Sequence, residues 1–387
     1  MLQKLKYFFS ILKNTYSYNN SINDYFLDYY LRHHKIVGWW NGLPFYSSFT
    51  NPGLSKPQAH FISRILLGQL TDKNLPGMVH IGITDKCNAT CEHCSFYNAI
   101  DDPKKNILDT DKMKQIIRDC QNFGISVINF VGGEPLLRQD ICELIDFVDK
   151  DRSVSSIYTN GWFLKEKAAG LKKAQVMAVN VSLDSTDSSV HDKVRKLPGL
   201  FDRAIGGIKE CQKEGIITGI STTVTQEDLL NGNFEKMLHF AKEMRVNELI
   251  VLDTMPVGMY SHRVDLSENK IDRAKLFSLV DRFNFENSRP GVFCYAHLRD
   301  KTVFGCSAGR NYFYISPYGE MHPCDFTAKP VGNILTETLP LLWFKLNEQR
   351  KLMGDKYFAD CCSQEPLKTS VENGQPNTEL RILRVLK

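Results

Sequence analysis

The sequence predicts an α/β protein, a partial (β/α)6 TIM-like barrel with a small α+β domain on its C-terminal side. Two patterns carry the barrel. From residue 78 onward, short apolar runs alternate with stretches whose apolar residues recur at i, i+3, i+4 and i+7, so the strand period gives way to the helix period each time. The alternation covers six strand–helix units spaced by roughly 25–35 residues, the layout of parallel strands with helices outside. Six units instead of eight point to a barrel left open on one side. A third pattern sets the C-terminal piece apart. The aromatic run from Tyr312, the turn Pro317-Tyr318-Gly319 and a short return to Pro323 read as a β-hairpin.

Met78–Thr84 is the first strand, and the loop leaving it holds Cys87, Cys91 and Cys94. Met113, Ile116, Ile117, Cys120 and Phe123 mark a helix that Gly124 stops. Ser126–Val131 is the second strand, followed by a helix carrying Ile141, Leu144, Ile145 and Val148. Val154–Thr159 is the third, with a helix over Phe163–Lys173. Val176–Leu183 is the fourth, with a helix marked by Phe201, Ala204, Ile205, Ile208 and Cys211. Ile216–Val224 is the fifth, backed by Phe234, Met237, Leu238, Ala241 and Met244. Glu248–Leu252 is the sixth, with a helix near Ile271–Phe283. Ahead of the barrel, Leu2, Leu5, Phe8, Phe9 and Leu12 form a helical stripe that suits packing on the barrel or contact with a membrane surface. The aromatic residues of 22–60 suit a cap on the barrel or a substrate-side wall. The expected units are an extension over 1–75, the barrel over 76–290, the small domain over 291–365 and a tail over 366–387.

Composition narrows the function classes. At 387 residues the chain is long enough for one barrel-sized domain and a smaller one. Lys and Arg stand at 48 against 44 Asp and Glu, and a net charge of +4 is too small to argue for nucleic acid as a partner. No apolar run reaches membrane-spanning length, and residues 1–20 lack the sustained apolar core and cleavage site of a signal peptide. Eleven cysteines in such a chain fit metal ligation plus buried free thiols in a reducing, cytoplasmic compartment. Cys120, Cys142 and Cys211 fall on predicted helices and read as small core residues.

The chemistry concentrates at the C-terminal ends of the predicted strands, where ligands gather in parallel α/β sheets. Cys87, Cys91 and Cys94 are spaced C-x3-C-x2-C just after the first strand. Three thiolates at this spacing hold three irons of a cubic [4Fe–4S] cluster and leave the fourth iron open. The same residues also suit a disulfide cluster or a zinc knuckle, with His93 as the fourth ligand. The second strand ends in Gly132-Gly133-Glu134-Pro135, glycines that let backbone approach a ligand and a carboxylate that suits an ammonium. The third ends in Thr159-Asn160-Gly161, and the fourth in Ser182-Leu183-Asp184, where alternation puts Ser182 and Asp184 on one side. Thr222 is a further inward polar candidate on the fifth strand.

Here the sequence resembles the radical S-adenosylmethionine superfamily, whose signature is this cysteine spacing, followed one βα unit later by G-G-E-P. The resemblance implies a [4Fe–4S] cluster on Cys87, Cys91 and Cys94, with S-adenosylmethionine chelating its open iron. It implies that Gly132, Gly133 and Glu134 position the amino group of that cofactor, that Asn160 lies near it, and that Ser182 and Asp184 contact its ribose and methionine parts. His191-Asp192-Lys193-Val194-Arg195, then Gly199 and Phe201, is similar to a pattern in many members with auxiliary clusters, and Arg195 suits the cofactor carboxylate. Asp253–Gly258 provides backbone to flank an adenine. Cys306, Gly319 and Cys324, spaced C-x12-G-x4-C around the hairpin, resemble the opening of a SPASM domain or its shorter twitch form, which implies an auxiliary iron–sulfur cluster. A full SPASM domain continues with C-x2-C-x5-C-x3-C, whereas this chain has Cys361 and Cys362, so one auxiliary cluster is expected, with Cys294 as a substitute ligand. A disulfide or zinc site is the alternative there.

The implied activity is reductive cleavage of S-adenosylmethionine to a 5′-deoxyadenosyl radical, which takes hydrogen from a peptide or protein side chain. A small molecule (a sugar, tetrapyrrole or lipid precursor) is the alternative substrate. A flavodoxin or ferredoxin is the expected electron donor. A non-catalytic iron–sulfur or zinc protein acting through partners is the reading from a different class.

Overall fold

The computed structural model describes residues 35–96, 105–260, 271–298, 306–327 and 329–353. The N-terminal helical stripe and Cys361 and Cys362 lie outside the described residues. The description starts with a small hairpin, β1 (Gly38–Trp40) and β2 (Leu43–Phe45), and the helix α1 (Lys56–Thr71), none of which the hydrophobic pattern singled out. Ser55 caps α1 by accepting from the Gln58 amide, and a proline in its first turn needs no hydrogen-bond partner there.

The six predicted strands are all present, within two residues of their expected limits. They are β3 (Met78–Gly82), β4 (Val127–Val131), β5 (Val154–Thr159), β6 (Ala178–Ser182), β7 (Ile217–Val224) and β8 (Glu248–Asp253), parallel and side by side in chain order. The helices between them are α2 (Thr110–Asn122), α3 (Ile141–Phe147), α4 (Leu164–Lys173), α5 (Ser188–Arg195), α6 (Leu200–Lys213), α7 (Gln226–Leu230), α8 (Asn233–Glu243) and, after β8, α9 (Arg273–Glu286).

Two more parallel strands flank this set. β9 (Gly291–Cys294) pairs with β8, and β10 (Tyr312–Ile315) pairs with β3, placing Tyr314 opposite His80. The predicted hairpin is therefore real, β10 with β11 (Glu320–His322), but it extends the barrel sheet at its first strand. β12 (Gly332–Asn333) and the helix α10 (Leu339–Met353) complete the described chain. The sheet ends at β12 on one side and β9 on the other, so it stays open, as six units imply.

Period-two alternation sorts the strand residues into two cores. Ile81, Phe130, Ile157, Val181, Ile220 and Val251 face outward, where they meet Ile116, Ile145, Leu171, Ile208 and Leu238 of the helices. Met78, Val127, Val154, Ala178 and Ile217 face inward and form a second cluster with Val37, Phe45 and Phe49 of the N-terminal segment. That segment closes the barrel at the N-terminal ends of its strands. Phe49 stacks on Phe293 with ring centroids 4.4 Å apart, and the Ser48 amide and hydroxyl donate to Glu248 at 3.0 and 2.6 Å. Among the described residues, no helix is long and apolar enough to cross a membrane.

Candidate active site

The open end of the barrel is organised by two strand-end loops that lie against each other. The Gly133 amide donates to Thr84 O at 2.9 Å and the Glu134 amide to Lys86 O at 2.8 Å, tying the turn after β4 to the approach of Cys87. Only glycine fits here. A Cβ on Gly132, at φ +143°, would sit 2.5 Å from Thr84 O, and one on Gly133 would sit 2.2 Å from Lys86 O. On the far side, Gly258 comes as close to Cys94, whose carbonyl accepts from the Met259 amide at 3.0 Å. The cysteine loop is thus held from both flanks.

Cys87, Cys91 and Cys94 line one central cavity together with Gly132, Gly133, Asn160, Ser182 and Arg195. Thr254, Met255 and Val257 add a wall, where the segment after β8 was expected. Burial pushes the Cys87 thiol up to about 12 and raises that of Cys91 as well, so these sulfurs keep their protons unless a positive centre displaces them. Among the described residues, no three His, Cys, Asp or Glu side chains converge on one ion-sized point. Three thiols that line one cavity supply the soft donor set of an iron–sulfur cluster.

Glu134 does not line the cavity. It is fully buried, and its carboxylate accepts from the Leu136 amide at 3.0 Å, the Thr159 hydroxyl at 2.6 Å and the Asn160 amide at 2.7 Å. Burial raises its pKa, against the pull of those three donors. It braces the ends of β4 and β5 from behind the glycines. Asn160, held in this way, donates its side-chain amide to Asn88 of the cysteine loop at 2.8 Å.

Asp184 and Arg195 form a buried ion pair, with Arg195 Nε 2.8 Å from Asp184 Oδ2. Burial opposes both charges, but the pairing wins: Asp184 is held well below the usual carboxylate range and Arg195 above its usual value. Asp184 also accepts from the Thr223 amide at 3.1 Å and meets His93 Nε2 at 3.3 Å. Arg195 Nη1 lies 4.0 Å from Cys91 Sγ, which places positive charge beside the cysteine loop. His93, the alternative zinc ligand, is turned toward the Asp184 carboxylate, and burial lowers its pKa. Thr222 faces the helix side, since Ser221 and Thr223 are the cavity-lining residues of β7. One residue of register makes that difference.

The floor of the cavity holds residues that the sequence reading did not select. His80 and Asp325 line it, 2.7 Å apart, and Tyr312 OH donates to the same carboxylate. Asn129 Nδ2 lies 3.0 Å from His80 Nε2. An inward histidine at the middle of a strand is the available signal, but its partner stands 245 residues away on the chain. Cys324 is buried and packs with the inner cluster, against which Cys306 also packs. Cys294 is not brought to them. It belongs to the outward cluster under the helices, because it alternates with the inward Phe293.

Comparison with known proteins agrees with this geometry. Residues 81–241 match the radical SAM superfamily, and residues 306–364 match the SPASM iron–sulfur cluster-binding domain. An AdoMet-dependent heme synthase of Nitratidesulfovibrio vulgaris is 25% identical over 307 residues, covering 72% of this chain and 82% of its own length. A probable GTP 3′,8-cyclase of Sulfolobus acidocaldarius is 31% identical over 223 residues, covering 56% of this chain and 69% of its own. SuiB of Streptococcus suis, in its crystal structure bound to S-adenosylmethionine, shares the fold with a TM-score of 0.59 at 18% identity, over 79% of this chain and 76% of that one. Cysteine loop, glycine turn and match together lead to one conclusion: the chain belongs to the radical SAM superfamily, as an enzyme that binds a [4Fe–4S] cluster and S-adenosylmethionine and carries a SPASM domain for auxiliary iron–sulfur binding.

Proposed function

We propose that Cys87, Cys91 and Cys94 hold the cluster that meets S-adenosylmethionine, and that the enzyme modifies a peptide or protein side chain in the cavity above Phe49. The carrying observation is that these thiols share one cavity with Gly132, Gly133, Asn160, Ser182 and Arg195. When bound, the cluster and S-adenosylmethionine supply a 5′-deoxyadenosyl radical by reductive cleavage.

The chain's own residues bind and orient. The backbone of Gly132–Gly133 meets the amino group of the cofactor, and Glu134 keeps that backbone in place from behind. Arg195, whose Nε is engaged by Asp184, turns its remaining guanidinium N–H groups to the carboxylate. Asn160 and Ser182 offer polar contacts to the rest of the cofactor. Phe49, Tyr158, Tyr295 and Phe326 exclude water from the substrate side. Cys306 and Cys324 hold an auxiliary cluster, with Cys361 and Cys362 as further candidate ligands. A flavodoxin or ferredoxin in the cytoplasm provides the electron, and the barrel over 76–290 and the domain over 291–365 work as one unit.

Charge favours a side-chain substrate. Among the described cavity residues, Arg195 is the one lysine or arginine, and it already faces Asp184. A polyanionic substrate needs more positive charge than that. SuiB, a fold neighbour, has been crystallised with its precursor peptide SuiA. A small-molecule substrate is the second reading, favoured by the heme synthase that this chain matches over 82% of its length.

Anaerobically reconstituted protein, given reductant and S-adenosylmethionine, should form 5′-deoxyadenosine, and Cys91→Ala should not. A wild-type protein that carries iron and forms none would refute the proposal. Deuterium transfer into 5′-deoxyadenosine from labelled candidate peptides, compared with labelled tetrapyrroles, then decides the substrate class.

A further inference from the structure

One layer below the cofactor-facing residues, the inner wall carries a belt of polar side chains. His80, Asn129 and Ser156 stand opposite one another on β3, β4 and β5, and Asn180, Gly219 and Glu248 do so on β6, β7 and β8, the two rows being offset by one inward position because Ser156 faces Ala178 and Asn180 faces Tyr158. Their inward direction follows from Met78, Val127, Val154, Ala178 and Ile217, each two residues earlier on its strand and each part of the inner cluster.

Asn129 Oδ1 and Ser156 Oγ are buried without a protein hydrogen bond among the described residues, and the buried Asn180 amide has the Tyr158 hydroxyl as its polar neighbour there. Each such atom destabilises the fold when left dry. Native interiors meet that cost with ordered water. Gly219 makes room at the centre of the belt, since a Cβ there would lie 2.1 Å from Asn180 Oδ1.

The two ends of the belt differ. His80 lines the cavity, with Nδ1 2.7 Å from Asp325 and Nε2 3.0 Å from the Asn129 amide nitrogen. At the closed end, Glu248 accepts from Ser48 Oγ at 2.6 Å, and Ser48 Oγ lies 3.5 Å from Tyr158 OH. The Tyr158 ring returns to within 5.9 Å of the His80 ring. Hydroxyls and water can each accept a proton while donating another, so the belt has the parts of a relay.

We propose that this belt encloses ordered water and conducts a proton from His80, on the substrate side, to Glu248 at the closed end of the barrel. The inference rests on the reading that the cavity takes a substrate. The proton leaves an O–H, N–H or S–H bond of that substrate, and the bonding electron pair stays on the heteroatom. The His80 ring, beside Asp325, takes the proton, the water and the Tyr158 and Ser48 hydroxyls pass one on, and the Glu248 carboxylate becomes a carboxylic acid. Atoms and charge balance, with no oxidant required. Burial, which raises the Glu248 pKa, favours that end state.

The test follows exchange of the His80 ring N–H with heavy water, read by nitrogen-15 NMR on the reconstituted holoenzyme without substrate. Ser156→Val and, separately, Asn180→Leu should dry the belt and slow exchange by roughly tenfold or more, with native near-UV circular dichroism retained. Unchanged exchange in folded variants overturns the proposal. If both variants unfold, a high-resolution structure of the wild-type holoenzyme decides: water bridging Asn129, Ser156 and Asn180 supports the relay, and a dry interior overturns it. A holoenzyme that passes this test but forms no 5′-deoxyadenosine leaves the belt standing and removes the functional reading instead.

Discussion

Asp184 shows how much a single side chain organises at this site. It pairs with Arg195, accepts from Thr223 and meets His93, so three segments depend on one carboxylate. Asp184→Asn keeps the shape but leaves the Arg195 charge buried without a counter-charge, which should destabilise the fold by about 3–5 kcal/mol. Urea unfolding of the wild type and the variant measures the difference. Gly133→Ala should lower bound iron, because the new Cβ would sit 2.2 Å from Lys86 O and push the cysteine loop out of place. Iron assay against a wild-type control checks it. Both positions were legible in the sequence only because the cysteine triad precedes them, and a cofactor role for Asp184 was implied by the family resemblance. The role of Glu134 was not, because its main donor, Thr159, lies 25 residues on and belongs to the next strand. A motif reports which residues gather at a site, while burial decides which of them face the ligand.

Elements were legible in proportion to their periodicity. β3 to β8 and their helices carry strong two- and 3.6-residue patterns, and all formed where expected. β9 and β12 span 4 and 2 residues, too short for a pattern to register. β10 was recognised as half of a hairpin, but pairing with β3 is a long-range event that local sequence does not encode. The N-terminal segment was read from its aromatic residues as a cap or a substrate-side wall, whereas its polar contact went unread: Ser47 and Ser48 satisfy Glu248 at the start of β8. Because burial raises the Glu248 pKa, the folded chain holds that proton more tightly than the unfolded chain. Its contribution to stability is therefore lost as pH rises from the ordinary carboxylate value through the raised one. Glu248→Gln should flatten that loss, and urea midpoints measured across the window would show it.

At the scale of the whole molecule, the two groups of cysteines make separable predictions. With one cluster at each, wild-type protein should carry about eight irons per chain, and the Cys87→Ala, Cys91→Ala, Cys94→Ala triple variant about four, with S-adenosylmethionine cleavage abolished. Iron and sulfide assays on anaerobic protein read both numbers, and a triple variant devoid of iron would refute a second cluster. The pairing of β10 with β3 has a consequence for how the molecule comes into being. Met78 and Tyr312 are register partners, so the first barrel strand waits for a segment made more than two hundred residues later before its outer edge is covered. Until that segment arrives the edge of β3 is open, so the strand that feeds the cysteine loop is completed only by chain that follows it by more than two hundred residues.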